Sequence, residues 1–249
     1  MKTGVKIGIA VVLVGAIAVG GELYYLHLRN QADNAAPKVA EYKTDPDDLV
    51  FIRPEHPMSL KDEKDLKGQT IWVSAGGQMN YYPYTGHKVD FDHSDGVLLG
   101  AEKLLVDDAI EEAVPKSVAI RMPQGDKQIL LIFSKPDDPA SAGKLFAVPV
   151  GYVQGGDVNL LSDSIFFYDD PHKLFAYWGP QVWSAIDRHE AIPGMNERQT
   201  QMALGQICAP QGDKAGDRDV VFFNQGKSKR ITFVNGKSTK IADSAWTPS

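Results

Sequence analysis

The chain is short of the residues that tie a fold together covalently or announce a chemistry. Its 249 residues include one cysteine, Cys208, so no intramolecular disulfide can form. Packed beside Ile207, that thiol is expected to be buried and inert, because free cysteine is among the most buried residue types. Positive charge is also scarce, with 26 Lys and Arg against 32 Asp and Glu. Beyond residue 30 the balance is 23 against 31, a net charge of −8. A nucleic-acid partner needs a basic face, so this balance argues against one.

The familiar catalytic signatures are missing too. There is no Gly-x-Ser-x-Gly elbow, no phosphate-binding loop and no His-Glu-x-x-His helix. The most metal-like stretch is Asp90-Phe91-Asp92-His93-Ser94-Asp95-Gly96. A calcium loop needs glycine at its sixth position and an acid at its twelfth. Counted from Asp90, those positions hold Asp95 and Ala101, so the stretch reads as a solvated turn. His172 falls in the exposed first turn of an expected helix. His189, beside Glu190, falls at a helix end, where a cation meets the helix dipole favourably. No catalytic, cofactor-binding or metal-binding residue is assigned, and no cofactor is expected.

What the chain does have is one long apolar run. Lys2 and Lys6 lead into Ile7–Gly21, and Leu23-Tyr24-Tyr25-Leu26 follows, with Glu22 as the one carboxylate. A membrane-crossing helix takes about 20 residues. Apolar character resumes past the small residues Ala18-Val19-Gly20, which favours a retained anchor over a cleaved signal peptide. Tyr24, Tyr25 and His27 suit the lipid–water boundary, and the excess of Lys on the short N-terminal side places that end in the cytoplasm. The expectation is an inner-membrane protein, tethered through residues 5–28, with its bulk in the periplasm or otherwise outside the cytoplasm. No cysteine lies near the end of the run, so lipoprotein processing is excluded.

Residues 31–67 read as a linker, with Asp45-Pro46-Asp47-Asp48 and Arg53-Pro54-Glu55-His56-Pro57 favouring extended chain. Residues 68–168 carry short strands between Gly and Pro turns, among them Thr70–Ser74, Gln128–Phe133 and Lys144–Val150. That pattern predicts a barrel or sandwich. At Asp169-Asp170-Pro171 it changes to helix-start chemistry, a carboxylate cap followed by proline. A helix is expected over Gln181–His189. Another is expected over Glu197–Leu204, with Asn196 and Gln199 as a capping box and Gly205 as its left-handed terminator. Three strands follow, Asp219–Phe223, Arg230–Val234 and Lys237–Ile241, the last two joined by an Asn235-Gly236 turn.

The expected fold class is therefore α+β. It comprises a single N-terminal transmembrane helix (residues 1–30), a linker (31–67), a barrel- or sandwich-like β-rich domain (68–168), and a helix pair with a three-strand antiparallel meander (169–249).

The string Ile192-Pro193-Gly194-Met195-Asn196-Glu197-Arg198-Gln199-Thr200-Gln201-Met202-Ala203-Leu204-Gly205, followed by a meander ending Phe233-Val234-Asn235-Gly236-Lys237, resembles the SmpA/OmlA (BamE) outer-membrane assembly proteins. The resemblance covers residues 181–242 and implies a non-catalytic domain that binds other proteins. The family's lipidated N-terminal cysteine is absent, and the proline expected just after Leu-Gly is displaced to Pro210. Only fold and general role are carried over.

Gly76-Gly77-Gln78-Met79-Asn80-Tyr81-Tyr82-Pro83-Tyr84 is the expected contact loop, with Tyr81, Tyr82 and Tyr84 as its aromatic anchors. The functional expectation is a membrane-anchored, non-catalytic envelope protein acting as scaffold, accessory subunit or protein-binding module. Its partners would be the membrane and other envelope proteins. The alternatives are a ligand- or glycan-binding ectodomain and a hydrolase with an unrecognised site.

Overall fold

The computed structural model describes residues 20–30, 45–118, 120–211, 217–224 and 227–245. Residues 20–30 are helical and exposed. The rest of the expected transmembrane span, up to residue 19, lies outside the described residues. Among the described residues no helix is long and apolar enough to cross a membrane. The expected fold class is thus corrected at its first element.

The chain divides into two compact units, residues 1–49 and residues 50–249. The first contains the 3-10 helix Pro46–Leu49. The second is mostly β, and everything below concerns it.

It starts with a short helix, α1 (Leu60–Asp65), whose cap Ser59 accepts the backbone N–H of Asp62. Nine strands then build one antiparallel sheet: β1 (Thr70–Val73), β2 (Asn80–Thr85), β3 (Lys88–Val89), β4 (Gly96–Val97), β5 (Lys103–Glu112), β6 (Lys127–Ser134), β7 (Leu145–Gln154), β8 (Asp157–Leu160) and β9 (Phe166–Phe167). The order is β3-β2-β7-β6-β5-β1-β9, with β4 joined to β2 and β8 to β7.

Among the described residues no ladder joins β3 to β9, so this is one open sheet. The barrel or sandwich expected for residues 68–168 is corrected accordingly. Turn spacing and strand composition, which prompted that reading, do not say whether a sheet closes.

Period-two alternation divides the side chains of the central strands between two apolar clusters. On β6, Ile129, Leu131 and Phe133 enter the larger cluster with Phe146, Val148 and Val150 of β7. Leu130 and Ile132 enter the other with Tyr82, Phe91 and Ala147. Both faces of β6 and β7 are therefore covered, which is why these stretches read as continuous apolar runs. Pro149 is tolerated in β7 because it sits at a register shift against β6. On its other side, the β2 ladder ends at Ala147 and the β8 ladder begins at Gly151. Proline in sheets is confined to such bulges and edges.

Helix α2 (Ser162–Ile165) precedes β9. Beyond β9 come α3 (Pro171–Leu174), the 3-10 helix Ala176–Trp178, α4 (Pro180–Asp187) and α5 (Glu197–Leu204). Asp170 caps α3 by accepting the N–H of His172. Asn196 and Gln199 cap α5 reciprocally. Gly205 ends α5, but at φ 92°, ψ −141° it has a positive φ without the helical ψ of the left-handed conformation expected.

The second sheet has four strands in the order β10 (Gln206–Gln211), β11 (Arg218–Asn224), β12 (Lys227–Val234) and β13 (Lys237–Ser244). The expected meander had three. The added strand is an edge strand with Pro210 in it and a register shift between Ile207 and Ala209, features that blur its strand pattern. Its Cys208 is half-buried, and its thiol is pushed up in pKa chiefly by burial.

One aromatic core joins this region to the first sheet. Trp72 of β1 and Phe167 of β9 pack with Phe175, Trp178, Trp183, Met202, Phe222 and Phe233. The backbones approach closely at Gly100, where a Cβ would stand 2.2 Å from the carbonyl oxygen of Met202.

Candidate functional site

A cleft of about 460 Å³ opens beside that shared core. It is lined by Trp72 from β1, Gly100 to Lys103 at the start of β5, and Lys135, Asp137 and Asp138 from the loop after β6. Asp170 and His172 at the start of α3, and Asp187 and His189 at the end of α4, complete it. Side chains up to 117 positions apart in the chain thus share one recess.

One wall is built on histidine. The Nδ1 of His172 lies 3.2 Å from Oδ1 of Asp170, and its Nε2 lies 3.0 Å from Oδ1 of Asp187. The imidazole stacks on Trp183 at 4.1 Å between ring centroids. Trp183 is itself pinned, its indole N–H donating to the Phe175 carbonyl at 3.1 Å. Asp170 does two jobs, capping α3 and facing the ring. A histidine held at both nitrogens and on one face is preorganised.

The floor is an ion pair. The Lys135 ammonium lies 2.7 Å from Oε1 of Glu102 and donates to the Tyr81 hydroxyl at 2.8 Å. Its side chain is only 8% exposed. Burial opposes the charge, but Glu102 and Tyr81 outweigh it and hold the amine above its ordinary pKa. The other carboxylate oxygen of Glu102 accepts the Leu99 N–H at 3.2 Å. The ammonium also sits over the Tyr81 ring, 4.1 Å from its centroid.

His189 is the odd member. It adopts φ 56°, a conformation a non-glycine residue seldom takes. Its Nδ1 is buried without a hydrogen-bond partner among the described residues. Burial pushes its pKa down, against the pull of Glu102 and Asp187, which keeps the imidazole neutral at pH 7. At the rim, Lys103 faces Asp137 at 3.5 Å, while Asp138 accepts from the Ala140 N–H and the Ser141 hydroxyl.

The tyrosines named from sequence are elsewhere. They belong to β2 and not to a projecting loop. Tyr81 is buried in the larger cluster, edge-on to Phe146 at 5.2 Å. Tyr82 is buried in the opposite cluster, edge-on to Phe91 at 5.3 Å. Tyr84 packs partly buried against that same cluster. Only the Tyr81 hydroxyl reaches the cleft, through Lys135.

The residues that do line the cleft were missed for identifiable reasons. Lys135, Asp137 and Asp138 fall in Lys135-Pro136-Asp137-Asp138-Pro139, whose prolines and charges mark only a loop. Asp170 read correctly as a cap, with no hint of its second partner. His172 and Asp187 come together only when α3 folds back on α4. Among the described residues, no three His, Cys, Asp or Glu side chains are placed to hold one metal ion. The Asp90–Gly96 segment folds on itself, Asp90 accepting the N–H of Asp92 and facing the His93 ring.

No protein-family model, characterised protein or solved structure matches the chain, so its function is read from the geometry of this cleft.

Proposed function

We propose that residues 50–249 form a binding module whose cleft receives a small cationic ligand carrying an ammonium or guanidinium group. The carrying observation is the charge of the lining. Glu102, Asp137, Asp138, Asp170 and Asp187 stand against Lys103 and Lys135. Two pairs cancel, Lys135 with Glu102 and Lys103 with Asp137, which leaves Asp138, Asp170 and Asp187 as the excess of negative charge. A recess walled by low-dielectric protein concentrates that negative field. Trp72 supplies an aromatic wall, and a cation against an indole face gains about 0.5–2 kcal/mol. The volume lies within the range of small-molecule sites, roughly 300–1,000 Å³.

Calorimetric titration of the full chain with agmatine, which bears both cationic groups, tests the reading. Saturable binding that weakens with salt and falls at least tenfold in Asp187→Asn is expected. Absence of binding, or binding indifferent to that substitution, would count against it.

One observation favours a second reading. His189 lines the cleft as a neutral imidazole in a strained backbone, and strain of this kind clusters at working sites. A hydrolytic site would use it as a general base on water. Turnover of a bound ester or amide, lost in His189→Gln, would identify that activity.

A further inference from the structure

Away from the cleft, a buried carboxyl group lies beneath the segment that enters the folded unit. Glu63 of α1 is 0% exposed. Its Oε1 accepts the Ser162 hydroxyl of α2, and its Oε2 is buried with no partner among the described residues. The Tyr168 side chain, 6% exposed, is buried as well, with its hydroxyl facing the Asp163 carboxylate.

The charges that act on Glu63 are both negative, Asp62 on its own helix and Asp163 on α2. From β5, which packs along α1, Leu104 and Val106 enter the same apolar cluster as Leu60 and Leu66. Tyr168, after β9, is in turn under the influence of Glu63, Asp163 and Glu55.

Residues 50–58 form neither helix nor strand. They are strapped to this place by Asp163, whose two carboxylate oxygens accept the backbone N–H groups of Glu55 and His56, each at 3.1 Å. The His56 ring lies 3.3 Å from the same carboxylate. Arg53 completes the strap, reaching Asp169 at 3.4 Å and the Tyr168 carbonyl at 3.4 Å.

We propose that Glu63 is the latch of a pH-sensitive strap: protonated, it lets α1 and residues 50–58 lie closed on α2, and ionised, it drives them open. A neutral carboxyl tolerates an apolar site with one hydrogen bond. A carboxylate there has an oxygen with no donor, and Asp62 and Asp163 repel it. Opening lets water reach it, at the expense of burying Leu60 and Leu66. Such sub-global opening is how folded units commonly yield.

The direction follows from linkage. Burial raises the Glu63 pKa from 4.5 in exposed chain to about 7 in the closed state. Opening therefore becomes easier as pH climbs between those values, by about fifty-fold from pH 5 to pH 7.5, and levels off above.

Hydrogen exchange of the full chain, corrected for intrinsic rates, reads this directly. The reporters are the amides of Glu63, Leu66 and Lys67, which donate to Ser59, Glu63 and Lys64. Their protection should fall about fifty-fold from pH 5 to pH 7.5 by that linkage and stay well below that of the β6 amides, which report global unfolding and share the pH dependence. In Glu63→Gln the loss at α1 should disappear. Unchanged protection at α1 with pH, or protection at α1 as high as at β6, would overturn the latch, the latter because α1 then opens only by global unfolding. Should Glu63→Gln not fold, carboxyl NMR titration of Glu63 in the wild-type chain decides. A midpoint above 6 supports the latch and one near 4.5 overturns it.

Discussion

Gly205 offers the sharpest test of how the two sheets are joined. A side chain there faces two obstacles. At φ 92°, ψ −141° the backbone lies in a region that only glycine occupies readily, and an L-residue held there is strained by about 1–3 kcal/mol. A Cβ would also fall 1.5 Å from Nε2 and 2.0 Å from Cδ of Gln78. Gln78 is 2% exposed, and its amide bridges the sheets, donating to the Leu204 carbonyl at 3.5 Å and accepting the Gln206 N–H at 3.1 Å. Driving it out breaks both contacts and strands their partners, a further 1–3 kcal/mol or so. Gly205→Ala should therefore destabilise by about 3–5 kcal/mol, a fall in Tm on the order of 10 °C for a unit of this size. Thermal unfolding followed by circular dichroism measures it. A double-mutant cycle with Gln78→Ala separates the two causes. With Gln78 shortened, adding Gly205→Ala should cost at least about 1 kcal/mol less than in the wild type. A Tm within 2 °C of wild type would refute the conformational argument, and strict additivity would refute the clash.

Three further outcomes are expected. Changing Tyr81, Tyr82 and Tyr84 together to alanine should abolish the cooperative folding transition seen by circular dichroism, since truncating a buried aromatic costs about 3–5 kcal/mol and two are deeply buried. Lys135→Met should lower stability in urea by about 3 kcal/mol by leaving Glu102 facing the cleft unpaired, and Glu102→Gln added to it should restore much of the loss. Stability at constant temperature should decline by about 2.5 kcal/mol as pH rises from 4.5 to 7, because over that range folded Glu63 keeps a proton that the unfolded chain has released; calorimetry of Glu63→Gln should show that slope removed.

Local chemistry in this chain was legible wherever a few neighbouring residues decide the outcome. The Asn196 and Gln199 capping box, the Asp170-Pro171 helix start and the apolar strand at Gln128–Phe133 all depend on contacts within a few residues, and each is present. What depends on distant partners was not legible. Whether β3 and β9 meet decides between a closed barrel and an open sheet, and they lie some 80 positions apart. Tyr81 and Tyr82 sit next to glycines and a proline, which reads as a loop. Yet β2 pairs with β7 from across the chain and turns the two rings into opposite cores. The cleft was hidden for the same reason. Asp170 as a cap, Lys135 in a charged loop and His189 at a helix end each have a sufficient local explanation. Only the packing of α3 and α4 beside the β5 and β6 ends gives them a common one.

Titrating the labelled full chain with agmatine while watching its tryptophan indole N–H signals shows whether the cleft beside Trp72 holds a cationic ligand. Four tryptophans keep that region of the spectrum sparse, and Trp72 and Trp183 border the site. The Trp72 signal should move saturably, Trp183 should follow through its stack with His172, and both movements should vanish in Asp187→Asn. Indole signals that stay still at saturating agmatine, or that move equally in Asp187→Asn, would contradict a cationic ligand there.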